Sequence, residues 1–467
     1  MKTRLLMAAL LLSGCALGPD YVPAPLPPVE GGALVAGAEG ATVGVEAPVT
    51  WWRLYDDPLL DELVGQALAA NTDLRAATAR LRQVRAVLSE TRSQRLPSTS
   101  ITGSAVEARQ AVPTPTGPVA FESEFYRLGL DASYEIDLYG RVTRSVQAAR
   151  ADFEAEEAAR DTVRITVAAE TARAYADACS AAAQLAVAER SLKLQADSFG
   201  IAEKRVAAGR DSPLDVARAR AQLESTRATL PAFTAQRAAA LNRLAVLTGR
   251  QPAQVDARVK ACTAPPLLKT AIPVGDGAAL LRRRPDVRQA ERRLAAATAR
   301  IGVAMADFFP QISLGGSVSG QGVTPGAALS NRGFAFSIGP AISWTFPNFA
   351  AARARTRQAR AGSDEAVANF EGSMLAALEE TETALANYAA GLATNEALRA
   401  ARDESARAAR IVRLRYGAGS EGFLAVLDAE RTLATADAQL AANDADLTTR
   451  QIAVFKALGG GWEPVEG

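Results

Sequence analysis

The strongest constraint on this chain is that it contains itself twice. Residues 74–104, LRAATARLRQVRAVLSETRSQRLPSTSITGS, align without a gap on residues 287–317, VRQAERRLAAATARIGVAMADFFPQISLGGS. Arg75 falls on Arg288, Arg80-Leu81 on Arg293-Leu294, Pro97 on Pro310 and Gly103-Ser104 on Gly316-Ser317. A second block, 134–250, maps onto 344–460 and pairs Gly209 with Gly419, Leu214 with Leu424 and Val216 with Val426. A long period of this kind marks a duplicated supersecondary unit. Each copy reads as a helix, two strands and a returning helical hairpin.

The strands announce themselves by alternation. Phe334, Phe336, Ile338, Pro340, Ile342, Trp344 and Phe346 alternate with small residues, which predicts one extended run to Phe346 with an apolar face. Ile312, Leu314 and Val318 keep the same period, as do Leu128, Leu130, Ala132, Tyr134 and Ile136, opposite a weaker strand near Thr99–Ala108. Pro- and Gly-rich loops, Val112–Pro118 and Gly322–Gly333, are expected to separate the members of each pair. Strands of this length suit a bilayer crossing of about 9–11 residues. Four cannot close a membrane barrel, which starts at about eight strands. The strands therefore belong to a soluble sheet or to a barrel shared between chains.

The helices are long. From Asn348 to Tyr416 there is no proline, a stretch that reaches about 100 Å at about 1.5 Å per residue. Val426, Leu433, Leu440, Leu447 and Val454 fall seven apart, and their first-copy equivalents Val216, Leu223, Leu230, Arg237 and Leu244 break the pattern only at Arg237. Such heptads predict coiled-coil packing. Pro231 should kink its helix, since it lacks an amide hydrogen and crowds the preceding turn. Composition agrees: 48% of residues are hydrophobic but only 6% aromatic, with alanine supplying much of the difference, which suits close-packed helices.

The N-terminus reads as an export signal: Lys2 and Arg4, then the apolar run Leu5–Leu12, too short to span a bilayer. Leu12-Ser13-Gly14-Cys15 resembles a bacterial lipobox, in which Cys15 is acylated and becomes the first mature residue; an ordinary signal with a chance cysteine is the alternative. Removing residues 1–14 takes two positive charges from a chain of formal net charge +1 and leaves −1, which proposes no nucleic-acid partner. Cys179 and Cys262 remain; an oxidising compartment permits a disulfide, and spacing alone leaves their pairing open.

Several motifs then carry a family resemblance. Cys15-Ala-Leu-Gly18-Pro19-Asp20-Tyr21-Val-Pro23, Trp51-Trp52-Arg-Leu-Tyr55-Asp56-Asp57-Pro58, and Leu280-Leu-Arg-Arg-Arg-Pro285-Asp286 running into Phe308-Phe-Pro310-Gln-Ile-Ser-Leu314 resemble outer-membrane efflux lipoproteins of the NodT type, relatives of TolC and OprM. The resemblance covers essentially the whole mature chain. It implies an internally duplicated α+β membrane protein: a homotrimer, four strands per chain closing a twelve-stranded barrel, and a long α-helical barrel crossing the periplasm. It further implies a passive exit duct for small molecules in a tripartite efflux system. The partners would be a periplasmic adaptor at the helical tip, an inner-membrane RND-type pump and outer-membrane lipid. A lipid-anchored periplasmic coiled-coil scaffold and the exit duct of a type I protein secretion system are the alternatives.

The expected layout is a signal peptide 1–14, an anchored linker 15–55, and repeat 1 over 56–265 with hairpin 98–136 and helical hairpin 139–249. Repeat 2 follows over 266–460 with hairpin 311–346 and helical hairpin 348–458, then a tail 461–467. Two helix–helix turns should form the periplasmic tip, around Gly209, Arg210 and Ser212 and around Gly419 and Ser420, where an adaptor would dock. By the resemblance, Asp428 matches a gate aspartate, Tyr416 a linking tyrosine and Asp215 a first-repeat aspartate, while Glu421 stands where the best-studied relative has arginine. Three symmetry-related aspartates around one axis repel one another and favour cations. Ser212-Pro213-Leu214-Asp215 also reads as an N-cap serine, a proline at the first helical position and an acidic residue at the third, so Asp215 has a capping role open to it. Gly417-Ala-Gly419-Ser-Glu-Gly422 matches a dinucleotide fingerprint in letters only, since a long helix precedes it where that fingerprint needs a strand. Arg282-Arg283-Arg284 reads as a helix C-terminus. Histidine is absent and no nucleophile or metal constellation stands out, so neither an enzyme nor a cofactor is expected.

Overall fold

The structure is a computed structural model, and it describes residues 16–23, 40–268, 270–275 and 277–460. The expected signal peptide 1–14, Cys15 and the tail 461–467 lie outside the described residues.

The elements follow the duplication. The first copy runs β1 (Ala41–Val43), α1 (Pro58–Ala70), α2 (Thr72–Ser93), β2 (Ser98–Thr114), β3 (Gly117–Ile136), α3 (Arg141–Ala207), α4 (Pro213–Arg227), α5 (Leu230–Leu247) and α6 (Ala257–Lys260). The second runs β4 (Ile272–Gly275), α7 (Gly277–Arg283), α8 (Pro285–Ala306), β5 (Gln311–Gly322), α9 (Pro325–Ala328), β6 (Phe334–Ser343), α10 (Phe349–Gly417) and α11 (Phe423–Ala457). The chain divides into two compact units, one holding Arg80–Glu157 and Gln289–Glu371 with the N-terminal residues, the other Ala158–Arg288 and Gly372 onwards with the segment before Arg80.

The first unit contains a four-stranded antiparallel sheet in the order β2-β3-β5-β6, so β3 against β5 joins the hairpins of the two copies. Where all four strands overlap, its pleat sorts apolar from polar residues. Ile101 lies opposite Leu130, Leu130 opposite Val318, and Val318 opposite Phe336, a single apolar row across all four strands. These four side chains are 77%, 49%, 46% and 73% exposed, so the row is largely uncovered among the described residues. The opposite face of this stretch is small and polar: Thr102 donates to Asp131, and Ser317 and Ser337 share a 2.8 Å hydrogen bond. Farther along the β2–β3 hairpin that face turns apolar, with Val106 paired to Phe125. The outer edges of β2 and β6 pair with no other strand among the described residues.

Two strand boundaries differ from the sequence expectation. β2 and β3 run through Val112–Pro118 as far as a two-residue turn, with Thr114 paired to Gly117 and Pro113 to Pro118. The prolines fit because the pair beside the closing pair needs no hydrogen bond between its partners. In the second copy the alternation continues to Phe346 but β6 stops at Ser343, paired with Gln311. β5 begins there, so Trp344 and Phe346 have no strand to bond. They cluster with Phe349 instead, at ring separations of 4.9 Å (Trp344–Phe346) and 5.7 Å (Phe346–Phe349).

The second unit is built on long helices and one dense core. Trp51 stacks on Phe455 at 4.8 Å, among buried Leu60, Val64, Tyr175, Leu244, Ile272 and Val454. Cys179 of α3 and Cys262 after α6 form a disulfide with Cα atoms 5.2 Å apart, which settles the pairing left open by their spacing. The heptad residues Val426, Leu433, Leu447 and Val454 are buried as their period requires. Arg237, the exception, carries its guanidinium to the carbonyl of Lys260 at the end of α6. Pro231 acts as expected: α4 stops at Arg227 and α5 starts at Leu230, because Arg227 would be the acceptor of the amide hydrogen that Pro231 lacks. Arg284, the first residue after α7, bonds the Ala457 carbonyl at 2.8 Å and pairs with Asp286 and Glu380, each at 2.7 Å, so the arginine run ties the fold together at a helix end. No helix among the described residues is long and apolar enough to cross a membrane.

Candidate functional site

The two helix–helix turns are built the same way. At the end of α3, Gly209 N–H bonds the Val206 carbonyl and Arg210 N–H the Arg205 carbonyl; at the end of α10, Gly419 N–H bonds Tyr416 and Ser420 N–H bonds Arg415. This double closure needs a left-handed residue at the apex. Gly209 has φ +68° and Gly419 φ +77°, a region where glycine pays no steric penalty. The glycine run at 417–422 is thereby a helix reversal. Arg210 is exposed, and Ser420 sends its hydroxyl back to the Arg415 carbonyl at 3.1 Å.

Across these turns the structure makes a link that the sequence left unassigned. Tyr416, buried at the end of α10, donates its phenol to Asp211 at 2.5 Å. Arg205 holds the same carboxylate through Nε at 2.9 Å and Nη2 at 3.2 Å, and its guanidinium lies 4.3 Å from the centre of the Tyr416 ring. Phe423 closes the other side, 5.6 Å from Tyr416. The Arg205 guanidinium and then the Tyr416 hydroxyl hold the Asp211 carboxyl below the usual carboxylate range. Burial, then the hydrogen bond to Asp211, pushes the Tyr416 phenol up, and it is a neutral donor at physiological pH. Beneath lies a small apolar plug of Ala202, Ala219, Tyr416, Phe423 and Val426.

The other expected residues are dispersed. Asp215 completes a capping box with Ser212: Leu214 N–H bonds the Ser212 hydroxyl at 3.2 Å, and Ser212 N–H bonds Asp215 at 3.4 Å. Asp428 is exposed on α11 and pairs within its helix to Arg431 at 2.6 Å, touching neither Tyr416 nor Asp215. Glu421 is half-buried in the second turn, and although it is the repeat counterpart of Asp211, no ion pair joins it to Arg415 among the described residues. Sequence reasoning missed Arg205 and Asp211 as a pair, and the alignment of Arg205 with Arg415 and Asp211 with Glu421 was the signal that could have found them.

With the apolar row on the sheet and the linked turns in view, similarity decides the family. A family model described as "Outer membrane efflux protein" matches residues 63–250 and 278–460, one match per copy. The chain belongs to the outer membrane efflux protein family. Its similarity to the toluene efflux pump outer membrane protein TtgF of Pseudomonas putida is 33% identity over 100% of this chain and 98% of that one. To Nodulation protein T of Rhizobium leguminosarum it is 29% identity, over 98% and 97%. Among solved structures, the outer-membrane channel OprN superposes with a TM-score of 0.90 at 36% identity, over 96% of this chain and all of that one. The open state of the Neisseria gonorrhoeae MtrE channel gives 0.83 at 29% identity, over 96% and 98%. This outer membrane efflux protein is therefore an exit channel subunit of the α+β type, placed in the outer membrane and extending into the periplasm. Its relatives are channel and efflux proteins rather than enzymes.

Proposed function

We propose that three copies of this chain share one β-barrel and form a gated exit duct for small molecules. The carrying observation is the sheet: an exposed apolar row across four strands whose two outer edges are unpaired among the described residues. Lipid does not tolerate open sheet edges, and four strands are too few to close alone. Pairing β2 of one chain with β6 of the next over three chains removes every edge. Cys15, acylated, anchors each chain in outer-membrane lipid.

The duct closes at the two turns. Tyr416, Asp211 and Arg205 hold the α3 and α10 ends together, Asp428 and Glu421 supply negative charge on the second turn, and Asp215 caps α4. Leu214 and Leu424, repeat equivalents, are 54% and 57% exposed beside the turns, and with Gly209, Arg210, Ser212, Gly419 and Ser420 they make a surface for a periplasmic adaptor. An inner-membrane pump of the RND type supplies the energy; two relatives are named as outer membrane proteins of efflux pumps.

Planar-bilayer conductance of the purified protein tests this reading. A trimer that conducts weakly, and more strongly as Asp428→Ala, is expected; a monomer that never conducts overturns the proposal.

A further inference from the structure

The motif Gly18-Pro19-Asp20-Tyr21 has no part in the duct or its gate, yet it is tied to the body of the protein by several polar contacts. Leu17 N–H bonds the Tyr139 carbonyl at 3.2 Å. Arg144, on the first turn of α3, donates Nε to the Leu17 carbonyl at 2.9 Å and Nη2 to the Gly18 carbonyl at 3.1 Å, and Nη1 pairs with Asp20 at 2.7 Å. Its side chain is only 4% exposed, and these backbone carbonyls, together with Gln147 Oε1 at 3.0 Å, satisfy a buried guanidinium. Tyr21 donates to Glu291 of α8 at 2.9 Å, and Arg292 lies 5.5 Å from its ring centre. The backbone fit is as tight. Gly18 has φ +90°, and a Cβ there would stand 2.6 Å from the Gly302 Cα; a Cβ on Gly140 would stand 2.6 Å from the Ala16 Cα.

The position of this seat matters as much as its strength. β3 ends at Ile136, β5 begins at Gln311 and β6 ends at Ser343, all at the same end of the sheet by register. Just beyond that end stand Tyr139 and Phe309, stacked at 4.6 Å, with Trp344, Phe346 and Phe349 exposed nearby in sequence. Aromatic residues gather at the level where hydrocarbon meets headgroups. The strap sets Ala16 against Tyr139 and Gly140, at this rim, and Cys15 is the residue before it in the sequence.

We propose that residues Ala16–Tyr21 are a protein-made seat for the acylated N-terminus, with Arg144 as the positioning residue that holds the anchor level with the aromatic rim of the sheet. This rests on reading Cys15 as the acylation site. A flexible tether would leave the acyl chain free to sample any depth; the seat fixes its attachment within one residue of the rim.

Hydrogen exchange on the full-length trimer in lipid nanodiscs tests it, with the mass of the N-terminal peptide reporting acylation separately. Arg144→Ala is expected to speed exchange of residues 16–23 at least tenfold, leaving exchange of strands 98–136 and 311–343 unchanged. Arg144→Lys, which keeps the charge but loses the fork, should give an intermediate rate. Cys15→Ser should leave the seat protected, since protein contacts alone build it. Unchanged exchange in Arg144→Ala overturns the positioning role, as does an acceleration that spreads equally to the strands. An unacylated Cys15 in the mass spectrum overturns the anchor seat through the lipidation reading instead.

Discussion

Arg413 on α10 donates to Glu430 on α11 at 2.9 Å, and the first repeat places the reversed pair, Glu203 and Arg220, at the equivalent positions 3.7 Å apart. Glu430 is buried and also accepts from Ser198 of α3 at 2.7 Å. Duplication preserved the attraction while exchanging its partners. The reversal makes the helices of the two hairpins non-interchangeable, because Glu203 set against Glu430, or Arg220 against Arg413, would repel.

The first prediction follows from that pair. Glu430→Gln strands a guanidinium and weakens the Ser198 bond, which should cost about 1–3 kcal/mol, toward the lower end because Arg413 is still partly solvated. Combining Arg413→Glu with Glu430→Arg copies the first repeat's arrangement and should recover much of the loss. A double-mutant cycle on thermal unfolding measures the coupling; strictly additive effects would refute it.

The tip link is predicted to respond to pH with a definite sign. Asp211 has its folded pKa lowered, so its contribution is complete above the ordinary carboxylate pKa and is lost as pH falls through the lowered value. Tyr416 has its pKa raised, so its contribution is complete below about pH 10 and is lost as pH rises through the higher folded value. Single-channel conductance should be lowest between these limits and climb on acidification. Tyr416→Phe should raise conductance at neutral pH, and indifference to that change would remove the tyrosine from the gate.

Asp215 offers a clean division between capping and gating. If its work is the box with Ser212, Asp215→Ala lowers stability by about 0.5–1 kcal/mol and leaves conductance unaltered. A conductance rise matching that of Asp428→Ala would instead count it among the gating charges.

The disulfide closes a loop between residues 83 apart in sequence, so replacing Cys179 and Cys262 together by serine should cost about 2–5 kcal/mol. Chemical unfolding with and without reductant checks this. A parent protein whose midpoint ignores reductant would show that the cross-link constrains little.

Much of the architecture was legible before any coordinates. The gapless match of 74–104 with 287–317 located α2 and α8 and the strands after them, and Pro231 marked the break between α4 and α5. Strand ends were less legible, because alternation continues through Trp344 and Phe346 after the partner strand has run out at Gln311. The candidate site was legible as two turns and illegible as a network. Gly209 and Gly419 are demanded by local backbone geometry, whereas Asp211 finds Tyr416, 205 residues away in sequence, only because two helices end side by side.

The sequence by itself determined which faces are apolar, where helices reverse and that everything occurs twice, since periodicity, proline and glycine act through the local backbone. Only the tertiary structure decided who meets whom: Cys179 with Cys262, Tyr416 with Asp211, Arg144 with the carbonyls of Leu17 and Gly18. A heptad fixes the side of a helix that must be covered but not the helix that covers it. Polar partners depend on that choice, and a few ångströms separate a capping carboxylate from a link between helices.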